Sequence, residues 1–97
     1  MAKRVLVECR DLFFRGKLQE VVRNGGGEPV REEPFELAVI ELGRAGGSAR
    51  IIDLVARGIP VLAFGSHVDA AGLRAARGLG ASAVPNSEVE SALRALL

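Results

Sequence analysis

An uninterrupted apolar run, Leu37 to Ile40, constrains the fold of this chain more than any other feature of its sequence. The run lacks the polar alternation of a strand with one wet face, so a strand formed here is buried on both faces. Strands of that kind occur in parallel sheets that carry helices on each side. Glu41 follows directly and places a carboxylate at the strand end. Since ligands in open α/β sheets gather beyond the carboxyl ends of the strands, Glu41 is the first candidate functional residue.

Length and charge set the broad class. The 97 residues predict one domain, and 48% apolar with 26% charged residues is typical of a globular protein. A formal net charge of +1 with no basic block argues against partners such as nucleic acid or an anionic membrane. The apolar runs are too short for a membrane span, there is no signal segment, and a single cysteine predicts a reducing, cytoplasmic setting. The scarcity of Asn and Gln fits a hot-living source.

Strand and helix patterns alternate along the chain. Strands are predicted at 4–7, 28–31, within 36–43 around the apolar run 37–40, at 59–64 and at 81–84, and helices over about 12–24, 49–57 and 68–77 and after residue 87. This alternation predicts a flavodoxin-like three-layer α/β sandwich, with a mostly parallel five-stranded sheet in the order 2-1-3-4-5 and about four helices. Residues 32–36 are too few for a crossover helix. Strand two is therefore either a parallel stub with an extended return, which we favour, or an antiparallel edge strand.

Polar residues before the helices predict their first turns, and apolar spacing predicts their buried faces. Expected N-caps are Asp11, Ser48, Ser66 within a Ser66–Asp69 capping box, and Ser87. In the central strands, the residues predicted to be buried are Val5, Val7, Leu37, Val39, Val61 and Ala63. In the helices, the residues predicted to face inward are Leu12, Phe13, Leu18, Val21, Val22, Ile51, Ile52, Leu54, Val55, Val89, Leu93 and Leu96. Phe13 and Phe14 are adjacent and cannot share one helix face, so one of them is expected in the core and the other at its rim or in an exposed contact.

Three stretches resemble the receiver domain of bacterial response regulators, and the likeness covers the chain apart from a missing second helix. Residues 36–41 are similar to the strand that ends in that family's phosphorylated aspartate. Residues 59–66 are similar to its fourth strand, where Gly65, or Ser66 after a one-residue slip, falls on the switch Thr or Ser. Residues 79–84 are similar to the approach to its fifth strand. The resemblance implies a receiver fold and a part in signal transduction.

The positions that carry the family's chemistry differ from its pattern. Glu41 falls on the phospho-acceptor, Cys9 and Arg10 fall about the magnesium-binding acids, and no lysine lies near Ser87, about where the family has one. Magnesium requires oxygen ligands, and an arginine repels it. We therefore predict a pseudo-receiver that is not phosphorylated, a non-catalytic regulatory module without cofactor that binds another protein. Glu41 is either a permanent functional charge or a solvated strand end, paired with Arg10 or Arg44.

A second hypothesis is a small-ligand or nucleotide site in the crevice at the ends of strands one, three and four. Its candidate residues are Glu8, Cys9, Arg10, Asp11, Ser66 and His67. His67 is the only histidine, so it does not predict a metal site. Ser66, His67 and Asp11 would together make a nucleophilic trio, although Ser66 has a stronger use as a helix cap. Cys9 is either a reactive thiol near a helix start or, more commonly, a small buried residue.

Two further interpretations concern assembly. Residues 58–65 and the Ala/Gly-rich helix after them are similar to a ribosomal protein family that binds kinked RNA, but the near-neutral charge opposes this function. The alanines of that helix either let it lie close to the sheet, which we favour, or form the interface of a homo-oligomer.

Overall fold

The computed structural model describes residues 2–43 and 45–97. Within those residues the chain forms five strands, four α-helices and one 3₁₀ turn. The elements are β1 Arg4–Glu8, α1 Leu12–Asn24, β2 Glu28–Val30, β3 Leu37–Glu41, α2 Gly47–Ala56, β4 Val61–Gly65, α3 Ala70–Gly78, β5 Ser82–Pro85, the 3₁₀ turn Asn86–Glu88, and α4 Val89–Leu96. In the described part of the chain, no helix has the length and apolar character needed to cross a bilayer.

All five strands are parallel, in the order β2-β1-β3-β4-β5. This arrangement confirms the predicted flavodoxin-like fold and strand order. β2 is a parallel stub of three residues, as favoured from the short connection that follows it. The register places Glu41 level with Phe64, and Phe64 level with Val84. These three positions therefore define one row across the carboxyl edge of the sheet.

The sheet separates two apolar clusters, and β3 contributes to both. Leu37 and Val39 belong to the cluster formed with α1 and α4, whereas Ala38 and Ile40 belong to the cluster formed with α2 and α3. All four side chains are buried, as predicted from the continuous apolar run. The six strand residues predicted to be buried are at most 7% exposed. Because β3 is buried on both faces, Glu41 at its end lies at the edge of the core.

The segment from residue 31 to residue 36 replaces the crossover helix between β2 and β3. Its backbone is tied to β1, since Glu36 N–H donates to the Arg4 carbonyl at 2.9 Å and Arg4 Nε donates to the Pro34 carbonyl at 2.6 Å. Phe35 is only 6% exposed and belongs to the same cluster as Leu6. One aromatic side chain thus covers part of the sheet face that has no helix over it.

Two predicted caps are wrong. α2 begins at Gly47 after Gly46, whose φ of 76° lies in the left-handed region, and Ser48 is inside the helix. Asp69, rather than Ser66, caps α3, because its carboxylate accepts a hydrogen bond from Gly72 N–H at 3.0 Å. The chain therefore turns out of β4 for several residues before α3 begins.

The last predicted cap is also wrong, and the predicted helix faces need correction at four positions. A 3₁₀ turn precedes α4, and its residues make no side-chain cap of the kind expected from Ser87. The four apolar side chains predicted to face inward that are exposed instead are Leu12 (68%), Phe13 (78%), Ile52 (52%) and Leu96 (38%). In α1, Phe14 takes the inward position, with its ring centroid 5.5 Å from that of Phe64.

Candidate functional site

The ends of β1 and β3 bring Glu41 against Cys9 and Arg10. The Glu41 Oε1 atom accepts a hydrogen bond from Arg10 N–H at 3.1 Å, and Arg10 Nε lies 3.5 Å from the same oxygen. The Cys9 thiol lies 3.8 Å from Glu41 Oε2. Both carboxylate oxygens are therefore engaged by the β1–α1 loop. Of the two arginines considered as partners of Glu41, Arg10 is the one that the structure places beside it, while Arg44 lies outside the described residues.

The two other acids of this loop are directed elsewhere. Glu8 Oε2 lies 3.1 Å from Arg50 Nη2 in an ion pair with α2. Asp11 caps α1, and its Oδ1 atom accepts hydrogen bonds from the N–H groups of Phe13 and Phe14 at 3.0 and 3.1 Å. Across residues 2–43 and 45–97, no three His, Cys, Asp or Glu side chains are grouped so that they could hold a metal ion. Glu8 and Asp11 therefore each have a partner other than Glu41.

Cys9 is a buried thiol, 5% exposed, as the commoner interpretation of the sequence predicted. Burial raises the pKa of the Cys9 thiol most, and the carboxylates of Glu41 and Asp11 raise this pKa further. A backbone hydrogen bond from the Asp11 peptide acts in the opposite direction. A raised pKa keeps the sulfur protonated at neutral pH, which is opposite to the lowered pKa of a reactive cysteine.

The ends of β4 and β5 lack the polar groups that the family resemblance implies there. Gly65 is buried in β4, and a Cβ atom at this position would lie 3.2 Å from the Leu42 side chain. On β5, the residue in the same row as Glu41 is Val84, whereas Ser87 lies in the 3₁₀ turn beyond the strand. Neither Val84 nor Ser87 has a charged side chain. In either case the position carries no cation.

Ser66 and His67 lie past the end of β4 and are exposed. The Ser66 hydroxyl accepts a hydrogen bond from Val68 N–H at 3.3 Å, which is a local turn. In the part of the chain that the structure describes, no hydrogen bond joins Ser66, His67 and Asp11. The structure therefore does not assemble the nucleophilic trio.

The six predicted crevice residues do not line one cavity. A cavity of about 180 Å³ contains Glu8 and Cys9 together with Arg15, Gln19 and Arg31. A second cavity of about 180 Å³ contains Glu8 and Arg50. Neither cavity is lined by Ser66 or His67. Sequence reasoning missed Arg15, Arg31 and Arg50, because an arginine in a helix or loop carries no signal that distinguishes it from a solvated one.

Comparison with solved structures finds the same fold in response regulators. NtrX from Brucella abortus superposes with a TM-score of 0.77 at 16% identity over 99% of this chain, which spans 27% of NtrX. A response regulator protein from Burkholderia multivorans gives a TM-score of 0.68 at 17% identity, over 99% of this chain and 95% of that protein. No family model and no curated protein matches the sequence. The structural matches show a receiver-like fold.

Proposed function

We propose that this protein is a regulatory, protein-binding module on a receiver-like scaffold that does not accept a phosphoryl group. The observation that carries the proposal is the arrangement around Glu41. Its carboxylate holds the acceptor position of the family resemblance, and Arg10, which falls at a metal-ligand position, donates to it through its main-chain N–H at 3.1 Å. The Arg10 guanidinium, whose Nε lies 3.5 Å from the same oxygen, adds a positive charge beside the carboxylate.

Phosphoryl transfer to a carboxylate needs a divalent cation and a fixed positive group on the transferred phosphoryl oxygens. Arg10 repels a divalent cation, and Glu8 and Asp11 are held by Arg50 and by the first turn of α1. No lysine lies near Ser87, where the resemblance places the fixed cation, and Val84 at the end of β5 is apolar. Each loss of an electrostatic stabiliser of this kind costs a factor of about 100 to 1,000 in rate, so the deficits compound.

The phosphorylation half of the proposal is tested with acetyl phosphate and magnesium. We expect intact-mass spectrometry to show no added phosphoryl group on the wild type or on Glu41→Asp, because the substitution corrects only the length of the acceptor side chain. A phosphorylatable receiver treated in parallel controls for the reagent. A base-labile phosphoryl group on either protein would mean that the loop binds the metal ion, and it would overturn the proposal.

Exposed apolar side chains near this edge support protein binding. Leu12 and Phe13 begin α1 directly after the β1–α1 loop, and Val68 lies in the turn after β4. Phe13 and Val68 are each 78% exposed. Apolar side chains that remain exposed in the folded protein are common in protein–protein contact surfaces. Neither a catalytic group nor a cofactor is part of this proposal.

The binding half of the proposal is tested by capture from a lysate of the source organism, with quantitative mass spectrometry. We expect a protein partner that is retained by the wild type and lost with Phe13→Ser. Ile52→Ser, which changes an exposed apolar residue on α2, is the matched control and should retain the partner. Equal capture by the two variants would refute a contact surface at the start of α1.

A further inference from the structure

β1 has an open edge beyond the end of β2, and a cavity of about 180 Å³ lies there. The last residue of β2, Val30, pairs with Leu6, whereas β1 continues to Glu8 without a strand partner on that side. We call this space the β1-edge cavity. Its lining residues are Leu6, Val7, Glu8, Cys9, Arg15, Gln19 and Arg31.

Three hydrogen-bond donors meet at the β1-edge cavity without partners. Arg15 and Gln19 lie four residues apart on α1, so they share one face of the helix, and Arg31 follows β2 directly. None of these three side chains makes a hydrogen bond or ion pair with residues 2–43 or 45–97. Both arginines are positively charged, and an anion in the cavity would be attracted to both of them.

The acidic residue in the lining does not supply that anion. Glu8 is ion-paired with Arg50 at 3.1 Å, on α2, so its charge is already offset. The Cys9 sulfur is a neutral thiol. The charge that remains at the β1-edge cavity is therefore positive and comes from Arg15 and Arg31.

The volume indicates what the cavity can hold. At about 30 Å³ for each water molecule in the liquid, 180 Å³ corresponds to roughly six waters. A group of a few non-hydrogen atoms fills this space, which is open to solvent.

We propose that the β1-edge cavity binds a small oxyanion, either a phosphate or a small carboxylic acid, between Arg15 and Arg31. The planar fork of a guanidinium group matches the oxygens of both ligands, and the Gln19 amide supplies a further donor. This site lies on the β2 side of β1, whereas Glu41 lies in β3 on its other side. Cys9 lines this cavity and contacts Glu41, but Arg15 and Arg31 do not contact that carboxylate, so oxyanion binding and phosphorylation of Glu41 are tested separately.

The test is an amide NMR titration of the full chain with sodium phosphate, sodium malonate and sodium chloride at constant ionic strength. We expect saturable shifts at Arg15, Gln19 and Arg31 with phosphate or malonate, and none with chloride. The anion that binds more tightly identifies the source of the oxyanion. Arg15→Gln and Arg31→Gln should each weaken binding about 10- to 100-fold, the usual loss for one charged hydrogen bond.

Arg74→Gln is the matched control, because Arg74 is an exposed arginine on α3 that does not line the β1-edge cavity. It should bind the oxyanion as tightly as the wild type. Shifts that are equal for all three salts would overturn the proposal. Unchanged affinity in the Arg15→Gln, Arg31→Gln double variant would overturn it as well.

Discussion

Arg10 makes two kinds of contact with one carboxylate oxygen, and only one of them depends on its side chain. The main-chain N–H donates to Glu41 Oε1 at 3.1 Å, while Nε lies 3.5 Å from that oxygen. The Arg10 side chain is 66% exposed, so solvent weakens the charge pair. The main-chain hydrogen bond persists with any residue other than proline at position 10. The position of Glu41 is therefore set largely by the path of the β1–α1 loop.

At the residue scale, Glu41→Gln should lower the pKa of the Cys9 thiol. The Glu41 carboxylate raises this pKa through its charge and as a hydrogen-bond acceptor, but burial is the largest cause and remains in the variant. The chain contains neither Tyr nor Trp, so thiolate formation can be followed directly by ultraviolet absorbance. Glu20→Gln, on the exposed part of α1, is the control and should leave the titration unchanged. An identical titration in wild type and Glu41→Gln would contradict the contact.

The sign of the pH effect on stability follows from the same shift. The folded chain holds the thiol proton more tightly than the unfolded chain, because the pKa is raised on folding. As the pH rises past the pKa of the unfolded thiol, the unfolded chain loses its proton first, and the free energy of unfolding falls until the folded thiol also ionises. Below that range, Cys9 contributes no pH dependence.

At the scale of elements, the segment 31–36 connects β2 to β3 in place of a crossover helix. It returns the chain along β1, and Phe35 fills space on the face of the sheet that α2 and α3 cover farther along. Glu33 is ion-paired with Arg57, just past the end of α2, so the segment is also held at its middle. The buried Phe35 ring therefore supplies the packing on this end of the sheet face.

Phe35→Ala should lower the free energy of unfolding by about 3–5 kcal/mol, from lost burial and the cavity left behind. Phe13→Ala removes the same atoms from a ring that is 78% exposed and should cost less than about 1 kcal/mol. Urea unfolding followed by circular dichroism measures both values. Comparable losses in the two variants would show that Phe35 does not close the sheet.

The strands were predictable from the sequence because each is marked by an apolar run. In β3 and β4 this run alone was enough to predict that the side chains are buried. The helix starts were not. Ser48 and Ser66 have side chains suited to capping, but the chain uses a left-handed glycine at Gly46 and a carboxylate at Asp69 instead. Several residues in each loop can act as an N-cap. Which of them does so depends on where the preceding strand ends and on the path of the loop. At the site, the sequence placed Glu41 at its strand end and named Arg10 as one of two possible partners, but it did not indicate that the Arg10 main-chain N–H donates to the carboxylate.

At the scale of the molecule, the two apolar clusters are not independent. Alternate residues of β3 enter each cluster, and β1 and β4 do the same with Val5, Leu6, Leu62 and Ala63. Loss of packing on one face of the sheet therefore removes support from the other face. Such shared strands favour unfolding in a single transition, as is usual for domains of this size.

The first strand and the last helix meet at the glycine turn that follows α1. Lys3 Nζ donates to the Leu96 carbonyl at 2.9 Å, and the Leu97 side chain lies so close to Gly25 that a Cβ atom there would be 2.7 Å from it. Residues 3 and 96 are thus neighbours in space, and a short linker could join them at little entropic cost. Circular permutation should then be tolerated, with new ends opened in an exposed loop such as the one after β4. A permutant with the far-ultraviolet circular dichroism of the wild type would show that the order of the elements along the chain does not determine how they pack.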